Sequence, residues 1–169
     1  AVVAIFVNEF LYKFEQNLTH VYKKENFSNE GFKQRILEVF QDDFFSNSLL
    51  VENKIQSDLG DIKLRGFISI PSYNKVNQSY QFLFVNGRPV QDRGLSTVVR
   101  LSYRDNLPRG RHPLYCLMLD LSNDQIDVNV HPTKLEVKFQ NYEFLKSFVI
   151  NSITKALQIK NNNKRSKTF

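Results

Sequence analysis

The chain contains few of the residues that form covalent links, metal clusters or nucleotide-binding loops. Its single cysteine, Cys116, excludes an internal disulfide and a cysteine-cluster metal site. The six glycines are scattered singly, so the sequence has no glycine-rich phosphate-binding loop. No apolar run approaches the roughly 20 residues of a membrane-spanning helix, and the N-terminus lacks the basic start of a signal peptide. We therefore expect a soluble cytoplasmic protein with no membrane partner.

Length and composition predict one domain with a substantial core. The chain has 169 residues, of which 41% are hydrophobic, and a chain of this size buries roughly 70% of the surface of its unfolded state. Cys116 lies within the apolar run 114–121, which predicts a buried and unreactive thiol. The chain begins at Ala1 and its only methionine is Met118, so we expect a piece of a longer protein.

Strands and helices follow one another in groups along the chain. Alternating apolar residues predict a hairpin within 10–22 and strands over the ranges 49–56, 61–70, 79–85 and 114–121. Helical spacing predicts helices over 32–40, from an Asp92 cap to about Tyr103, and from Asn141 onward. This order predicts an α+β fold, a two-layer α/β sandwich whose helices cover one face of a largely antiparallel sheet.

Three segments are expected along the chain. Residues 1–9 are expected to be the tail of a preceding domain or the end of a helix, and residues 10–159 form the domain itself. Residues 160–169 are polar and basic with nothing to bury, which predicts the start of a flexible linker.

Arginines are concentrated in one part of the chain. The segment 88–111 holds six of the nine arginines and only two aspartates, a local charge of +4. These arginines are Arg88, Arg93, Arg100, Arg104, Arg109 and Arg111. At 100° per residue, the three within the predicted helix fall on the side opposite the apolar positions Leu95, Val98, Val99 and Ser102. Such a surface suits contact with DNA phosphates without sequence readout, and a merely solvated helix face is the alternative.

A second group of polar residues follows a turn near the end of the sheet. Asp127, Asn129 and His131 share one side of a strand that Pro132 interrupts, with Lys134 just beyond. We expect Asp127, Asn129 and His131 to form hydrogen bonds that fix the loop around Pro132. We expect no metal site, because no second histidine is placed to complete a ligand set. A lone lysine after a turn is, on the sequence alone, usually a solvated charge.

Two strings of residues, in their order and spacing, resemble those of a known family. Phe84-Val85-Asn86-Gly87-Arg88 is followed about forty residues later by Asp127-Val128-Asn129-Val130-His131-Pro132-Thr133-Lys134. With the upstream strand Gly60-Asp61-Ile62-Lys63-Leu64-Arg65-Gly66-Phe67, they resemble the second domain of the MutL type of DNA mismatch-repair protein. The resemblance extends over roughly residues 49–157 and is closer to the bacterial proteins.

The resemblance implies a fold and roles for several residues. Its fold is shared with domain two of ribosomal small-subunit protein five and with the transducer domain of gyrase-type ATPases. It implies that Asn86 and Gly87 shape the turn before Arg88, and that Arg88 lies on a DNA-binding groove. It also implies that Lys134 reaches into a neighbouring ATP-binding domain and contacts the γ-phosphate.

The resemblance further implies partners and a cellular setting. The full-length protein is expected to be an ATPase of the class that contains gyrase, heat-shock protein ninety, histidine kinases and MutL, using ATP and Mg²⁺. This domain alone is expected to be no enzyme and to hold no cofactor. The expected partners are DNA, the upstream ATPase domain, a mismatch-recognition protein and a second copy through other domains, in a nucleoid-associated bacterial setting. The alternatives are a structural interaction module or an RNA-binding module of the same fold.

Overall fold

The computed structural model describes residues 40, 43–58, 60–122, 126–127 and 138–165, with the backbone alone for residues 105, 126–127, 138 and 160–165. The predicted hairpin within 10–22 and most of the predicted helix over 32–40 lie outside these residues. No helix of the described part is long and apolar enough to cross a membrane.

Nine strands and three α-helices make up the described part. The strands are β1 Ser48–Ile55, β2 Ile62–Ser69, β3 Asn74–Lys75, β4 Gln81–Val85, β5 Arg88–Val90, β6 His112–Pro113, β7 Tyr115–Leu121, β8 Ile126–Asp127 and β9 Lys138–Phe139. The helices are α1 Asp43–Ser46, α2 Arg93–Tyr103 and α3 Tyr142–Arg165, and a 3₁₀ turn, Arg104–Asn106, follows α2. The four predicted strands in this part of the chain and both predicted long helices are confirmed.

One five-stranded sheet, in the order β1-β2-β7-β4-β5, organises these elements. Neighbouring strands are antiparallel except β4 and β7, which are parallel. The parallel pair arises because β5 and α2 lie between β4 and β7 in the chain and return it to the same end of the sheet. The prediction of a largely antiparallel sheet is therefore confirmed.

The two long helices cover one face of the sheet. The predicted packed face of α2 is buried, at Leu95, Val98, Val99 and Ser102. In α3 the predicted apolar stripe is buried at Leu145, Phe148, Val149, Ile153 and Leu157, with Phe144 and Ala156 partly buried. These side chains share one cluster with the residues of the sheet that face the helices. This is the helix-on-sheet packing that the sequence predicts.

A buried hydrogen bond fixes the C-terminal end of α2 to the sheet. The Tyr103 hydroxyl is fully buried and donates to the carbonyl oxygen of Ser69 at 2.6 Å. The Ser69 hydroxyl in turn accepts from the backbone N–H of Leu114 at 3.0 Å. Burial raises the pKa of Tyr103, so the hydroxyl stays a neutral donor. The orientation of α2 on the sheet is thereby set, along with the direction in which its outer face points.

The opposite face of the sheet carries a second cluster that is rich in aromatic residues. Its buried members are Phe40, Phe44, Phe67, Phe84, Leu114, Cys116 and Met118. The rings of Phe40 and Phe44 stack with their centroids 4.1 Å apart. Burial raises the pKa of the Cys116 thiol, as expected for the inert thiol that the sequence predicts. The central strands are thus buried on both faces.

The C-terminal helix is longer than the sequence predicts. Its backbone continues through Arg165, so the expectation that a flexible linker begins at residue 160 is wrong for residues 160–165. Once α3 has formed on the sheet, adding further residues needs no new nucleus, so the helix can continue through the three weak helix formers at 161–163 to Lys164 and Arg165. The helix therefore extends beyond its last packed turn.

Candidate nucleic-acid interface

The outer face of α2 presents a row of arginines to solvent. The helix begins where the Asp92 carboxylate accepts the backbone N–H of Leu95 at 2.8 Å, which confirms the predicted cap. Arg93, Arg100 and Arg104 are all exposed, and we call them the α2 arginine row. The packed face and the basic face are separate, as the helical spacing predicts.

The row ends at a residue that leaves the helix. Arg104 has a φ of 50° and its backbone N–H donates to the carbonyl of Leu101. A non-glycine residue in this conformation is uncommon and closes the helix. Its cationic side chain also lies at the negative end of the helix dipole, which favours it there.

The turn between β4 and β5 holds Arg88 in a defined position. Asn86 and Gly87 have φ values of 48° and 79°, which confirms the predicted tight turn. The Asn86 side-chain amide donates to the carbonyl of Leu121 at 3.0 Å, and its carbonyl accepts the N–H of Leu121 at 2.7 Å. The turn is thus tied to the end of β7, and Arg88 is exposed immediately after it.

The two arginines of the loop before β6 differ in their surroundings. Arg109 is exposed, whereas Arg111 is partly buried. The Arg111 guanidinium donates through Nε to the side chain of Asn74 and lies 3.5 Å from the Asn74 carbonyl. Arg111 therefore joins this loop to β3, a structural contact that its place in the sequence does not reveal.

His112, the first residue of β6, lies close to Arg100 of the α2 arginine row. Partial burial lowers the pKa of His112, and the nearby charge of Arg100 lowers it further. The His112 Nδ1 lies 3.4 Å from Nε2 of Gln78. A neutral imidazole and an amide thus stand beside the basic helix face, two polar residues that the arginine pattern did not predict as part of this surface.

A cleft of about 730 Å³ opens beside the N-terminal end of α2. Its walls come from β4, from the segment that joins β5 to α2, and from the first turn of the helix. The lining residues are Gln78, Gln81, Leu83, Val90, Gln91, Asp92, Arg93, Gly94, Ser96 and Tyr115. Gln78 and Arg93 therefore border both the cleft and the basic surface. The sequence does not predict this cavity, because its walls come from separate parts of the chain.

The second group of predicted site residues lies mostly beyond the described ranges. Asn129, His131, Pro132 and Lys134 are outside the residues that the structure describes. Asp127 is described by its backbone alone, in β8, where it pairs with Lys138 of β9. Among the described residues, no group of three His, Cys, Asp or Glu side chains could hold a metal ion.

Comparison with known proteins identifies the family to which this chain belongs. The family model described as "DNA mismatch repair protein, C-terminal domain" matches residues 36–158. The DNA mismatch repair protein MutL of Rickettsia bellii (strain RML369-C) is 38% identical over 133 residues, which cover 79% of this chain and 21% of that protein. MutL of Rickettsia akari (strain Hartford) is 40% identical over 127 residues, or 75% of this chain and 20% of the relative. The chain thus spans about a fifth of the length of the curated relatives it matches.

A solved structure has the same fold. The crystal structure titled "N terminal domain of a DNA repair protein" superimposes with a TM-score of 0.64 at 22% identity, covering 80% of this chain and 43% of that one. The agreement supports the mixed α+β architecture described above. The family match and the sequence relatives together show that the chain belongs to the DNA mismatch repair protein family and is related to the bacterial MutL proteins.

Proposed function

We propose that this domain is the transducer domain of a MutL-type mismatch-repair protein, which binds DNA through its arginines and couples that binding to ATP. The observation that carries the DNA-binding part is the α2 arginine row. Arg93 and Arg100 are exposed on one face of a helix whose opposite face is fixed in the core, and the exposed Arg104 follows directly at the end of that helix. Membership of the family supports a role in mismatch repair, and the exposed arginines support DNA as the ligand.

The arginines are available to a ligand. None of Arg88, Arg109 or the α2 arginine row forms an ion pair within the part of the chain that the structure describes. Because a guanidinium group donates paired hydrogen bonds that match phosphate oxygens, unpaired exposed arginines are suited to a polyanion. Arg111 is set apart from this group, since Asn74 already occupies part of its guanidinium.

The dimensions of the row also suit a nucleic-acid backbone. From Arg93 to its last residue, Tyr103, α2 rises about 15 Å at 1.5 Å per residue, and Arg104 follows immediately. One DNA strand advances about 3.4 Å per nucleotide, so the row spans roughly five nucleotide steps. Contacts of this kind position the protein on the backbone and carry no sequence information. We therefore propose binding without sequence preference.

Charge reversal at Arg88, compared with reversal at Lys63, tests the position of the surface. Lys63 is also exposed, but it lies in β2 between Ile62 and Leu64, whose side chains face the helices, so it points to the other side of the sheet. Arg88→Glu is expected to weaken binding of a DNA duplex by about tenfold, the equivalent of one lost charge-assisted contact, and Lys63→Glu by less than about twofold. Fluorescence anisotropy at fixed salt measures both. Equal losses would favour a diffuse effect of net charge and contradict a defined surface.

ATP coupling is proposed through Lys134. In this proposal its ammonium contacts the γ-phosphate of ATP held, with Mg²⁺, by an upstream ATPase domain, and loses that contact when the phosphate leaves. The support is the match of the string from Asp127 to Lys134 with the family pattern. The domain alone is proposed neither to bind nor to hydrolyse ATP. A mismatch-recognition protein and a second copy of the full-length protein are proposed as further partners.

The Lys134→Ala variant tests whether Lys134 acts in ATP hydrolysis or stabilises the fold. In the full-length protein the change is expected to slow ATP hydrolysis while DNA affinity stays within about twofold, because the phosphate-binding arginines are unaltered. In this chain alone the free energy of unfolding should change by less than about 0.5 kcal/mol, as for most surface substitutions. Steady-state ATPase assays and urea denaturation measure the two effects. Unchanged ATP turnover, or unfolding of the chain, would contradict the assignment.

A further inference from the structure

We propose that His112 is a further phosphate contact of the DNA surface and that it takes up a proton when DNA binds. This inference rests on the proposed DNA binding and goes further, because it adds to the arginines a residue whose charge depends on pH. The fixed position of His112, the charges around it and its contact with Gln78 support the inference.

Backbone pairing and a side-chain contact hold His112 in a defined place. His112 is the first residue of β6, where it pairs with Lys75 of β3. The preceding residue, Arg111, donates through its guanidinium Nε to the side chain of Asn74. The Asn74 amide in turn donates to the carbonyl of Pro71 at 2.9 Å. Because His112 is only partly buried, its ring is accessible to a ligand while its backbone stays fixed.

The described charged groups that surround His112 are positive. On α2, Arg100 lies close enough to affect its pKa, and on β3 Lys75 stands directly opposite it. Arg111 precedes it in the chain, and the segment 76–80 contributes the uncharged Gln78. Within the described part of the chain, no carboxylate contributes to the pKa of His112. This site therefore attracts an anion, and a DNA phosphate can supply the negative charge.

The arrival of a phosphate changes the protonation of His112. In the free protein, partial burial and the charge of Arg100 lower the pKa of His112 below its ordinary value of 6.5, so the ring is neutral near pH 7. A phosphate within hydrogen-bonding distance favours the cation and raises the pKa. The complex thus holds more protons than the free protein, so affinity rises as the pH falls. The rise ends where His112 is protonated in the free protein as well.

Gln78 is compatible with both states of the ring. Its Nε2 lies 3.4 Å from Nδ1 of His112, so in the neutral ring Nδ1 accepts from the amide and Nε2 carries the proton. In the cation both ring nitrogens donate, and the exposed Gln78 can turn its amide so that the oxygen accepts from Nδ1. In this proposal Nε2–H donates to a phosphate oxygen in both states, and the added proton strengthens that hydrogen bond.

The pH dependence of DNA affinity tests this inference. A DNA duplex is titrated with the protein from about pH 8 to about pH 5.5 at constant ionic strength, the range in which histidine changes charge. The association constant of the unaltered protein should rise about fivefold or more as the pH falls, since a pKa raised by one unit in the complex corresponds to a tenfold gain. In His112→Gln, whose amide does not titrate, the rise should be about twofold or less.

A permanent cation at the same position gives a second test. His112→Arg should also lose the pH response, and at about pH 8 it should bind the duplex about threefold or more tightly than the unaltered protein, because its charge no longer depends on a proton. The matched control is His20→Gln, which removes another histidine and should keep the full response. Calorimetry in two buffers of different ionisation enthalpy should show proton uptake by the unaltered protein and not by His112→Gln.

The possible outcomes separate this inference from the proposed DNA binding. A pH-independent affinity in the unaltered protein would overturn the inference and leave phosphate binding by the arginines intact. A full pH response in His112→Gln or His112→Arg, with a melting temperature that shows the variant is folded, would overturn it as well. Loss of the response in His20→Gln would assign the proton to a different residue. Absence of binding at every pH would instead overturn the proposed DNA binding on which the inference rests.

Discussion

Gly66→Ala is expected to lower the free energy of unfolding by about 4 kcal/mol. A loss of this size is typical of substitutions that disrupt the core or displace the backbone. Gly66 lies in the middle of β2 and pairs with Val51 on one side and Leu117 on the other. A Cβ atom there would overlap the carbonyl oxygen of Cys116 and lie 2.9 Å from the Cα of Leu117. Its φ of 153° is also one that a residue with a side chain rarely adopts.

The overlapping atoms cannot move aside at low cost. They belong to the backbone of β7, the central strand, whose two neighbours hold it from both sides. Gly110→Ala is the matched control, because Gly110 also has a positive φ, 72°, but nothing lies within 4 Å of its added Cβ. Its expected cost is about 1 kcal/mol, from backbone conformation alone. Urea denaturation followed by circular dichroism measures both, and equal costs would contradict the β2–β7 register.

Reversing the whole α2 arginine row is expected to have the largest effect on DNA binding. The triple variant Arg93→Glu/Arg100→Glu/Arg104→Glu should lose about 100-fold or more in affinity at low salt, because each lost charge-assisted contact removes about 1 kcal/mol or more and each new carboxylate repels phosphate. Folding should be little affected, since all three side chains are exposed and outside the core. Anisotropy titrations give the affinity, and the melting temperature shows that the variant is folded.

A double reversal on the other side of the sheet is the control for net charge. Lys54 and Lys63 are exposed and directly opposite each other in β1 and β2. Changing both to glutamate keeps a like-charged pair, so the local repulsion across the strands is retained while the net charge falls. Affinity in this variant should stay within about threefold of the unaltered protein, because the two lysines lie on the face of the sheet opposite the helices and solvent and salt screen their charges. A loss as large as that of the triple variant would contradict a localised surface.

Local features of this domain could be predicted from the sequence because local rules determine them. The Asp92 cap and the burial of Leu95 and Val99 follow from capping chemistry and helical spacing. The turn at Asn86 and Gly87 follows from their tolerance of positive φ. The exposure of the α2 arginine row then follows from the burial of the opposite side. Each of these inferences needs only a few consecutive residues.

The features that the sequence did not predict depend on which distant segments meet. The parallel pairing of β4 with β7, the contact of Arg111 with Asn74, and the cleft are all of this kind. One available signal was missed. The continuous apolar run 114–119 is typical of a strand buried on both faces, and it indicated that the sheet would be covered on its second side too. The residues that cover this second face of the sheet, such as Phe44, could not have been identified from periodicity.

The salt dependence of DNA affinity tests the central claim most directly. The logarithm of the association constant should fall linearly with the logarithm of salt concentration, with a slope of about −0.9 for each duplex phosphate neutralised. If the α2 arginine row contacts the backbone, the slope of the triple variant should be shallower by about 2 to 3, the contribution of three lost contacts. The control at Lys54 and Lys63 should keep the original slope. Equal slopes in the unaltered protein and the triple variant would contradict the account.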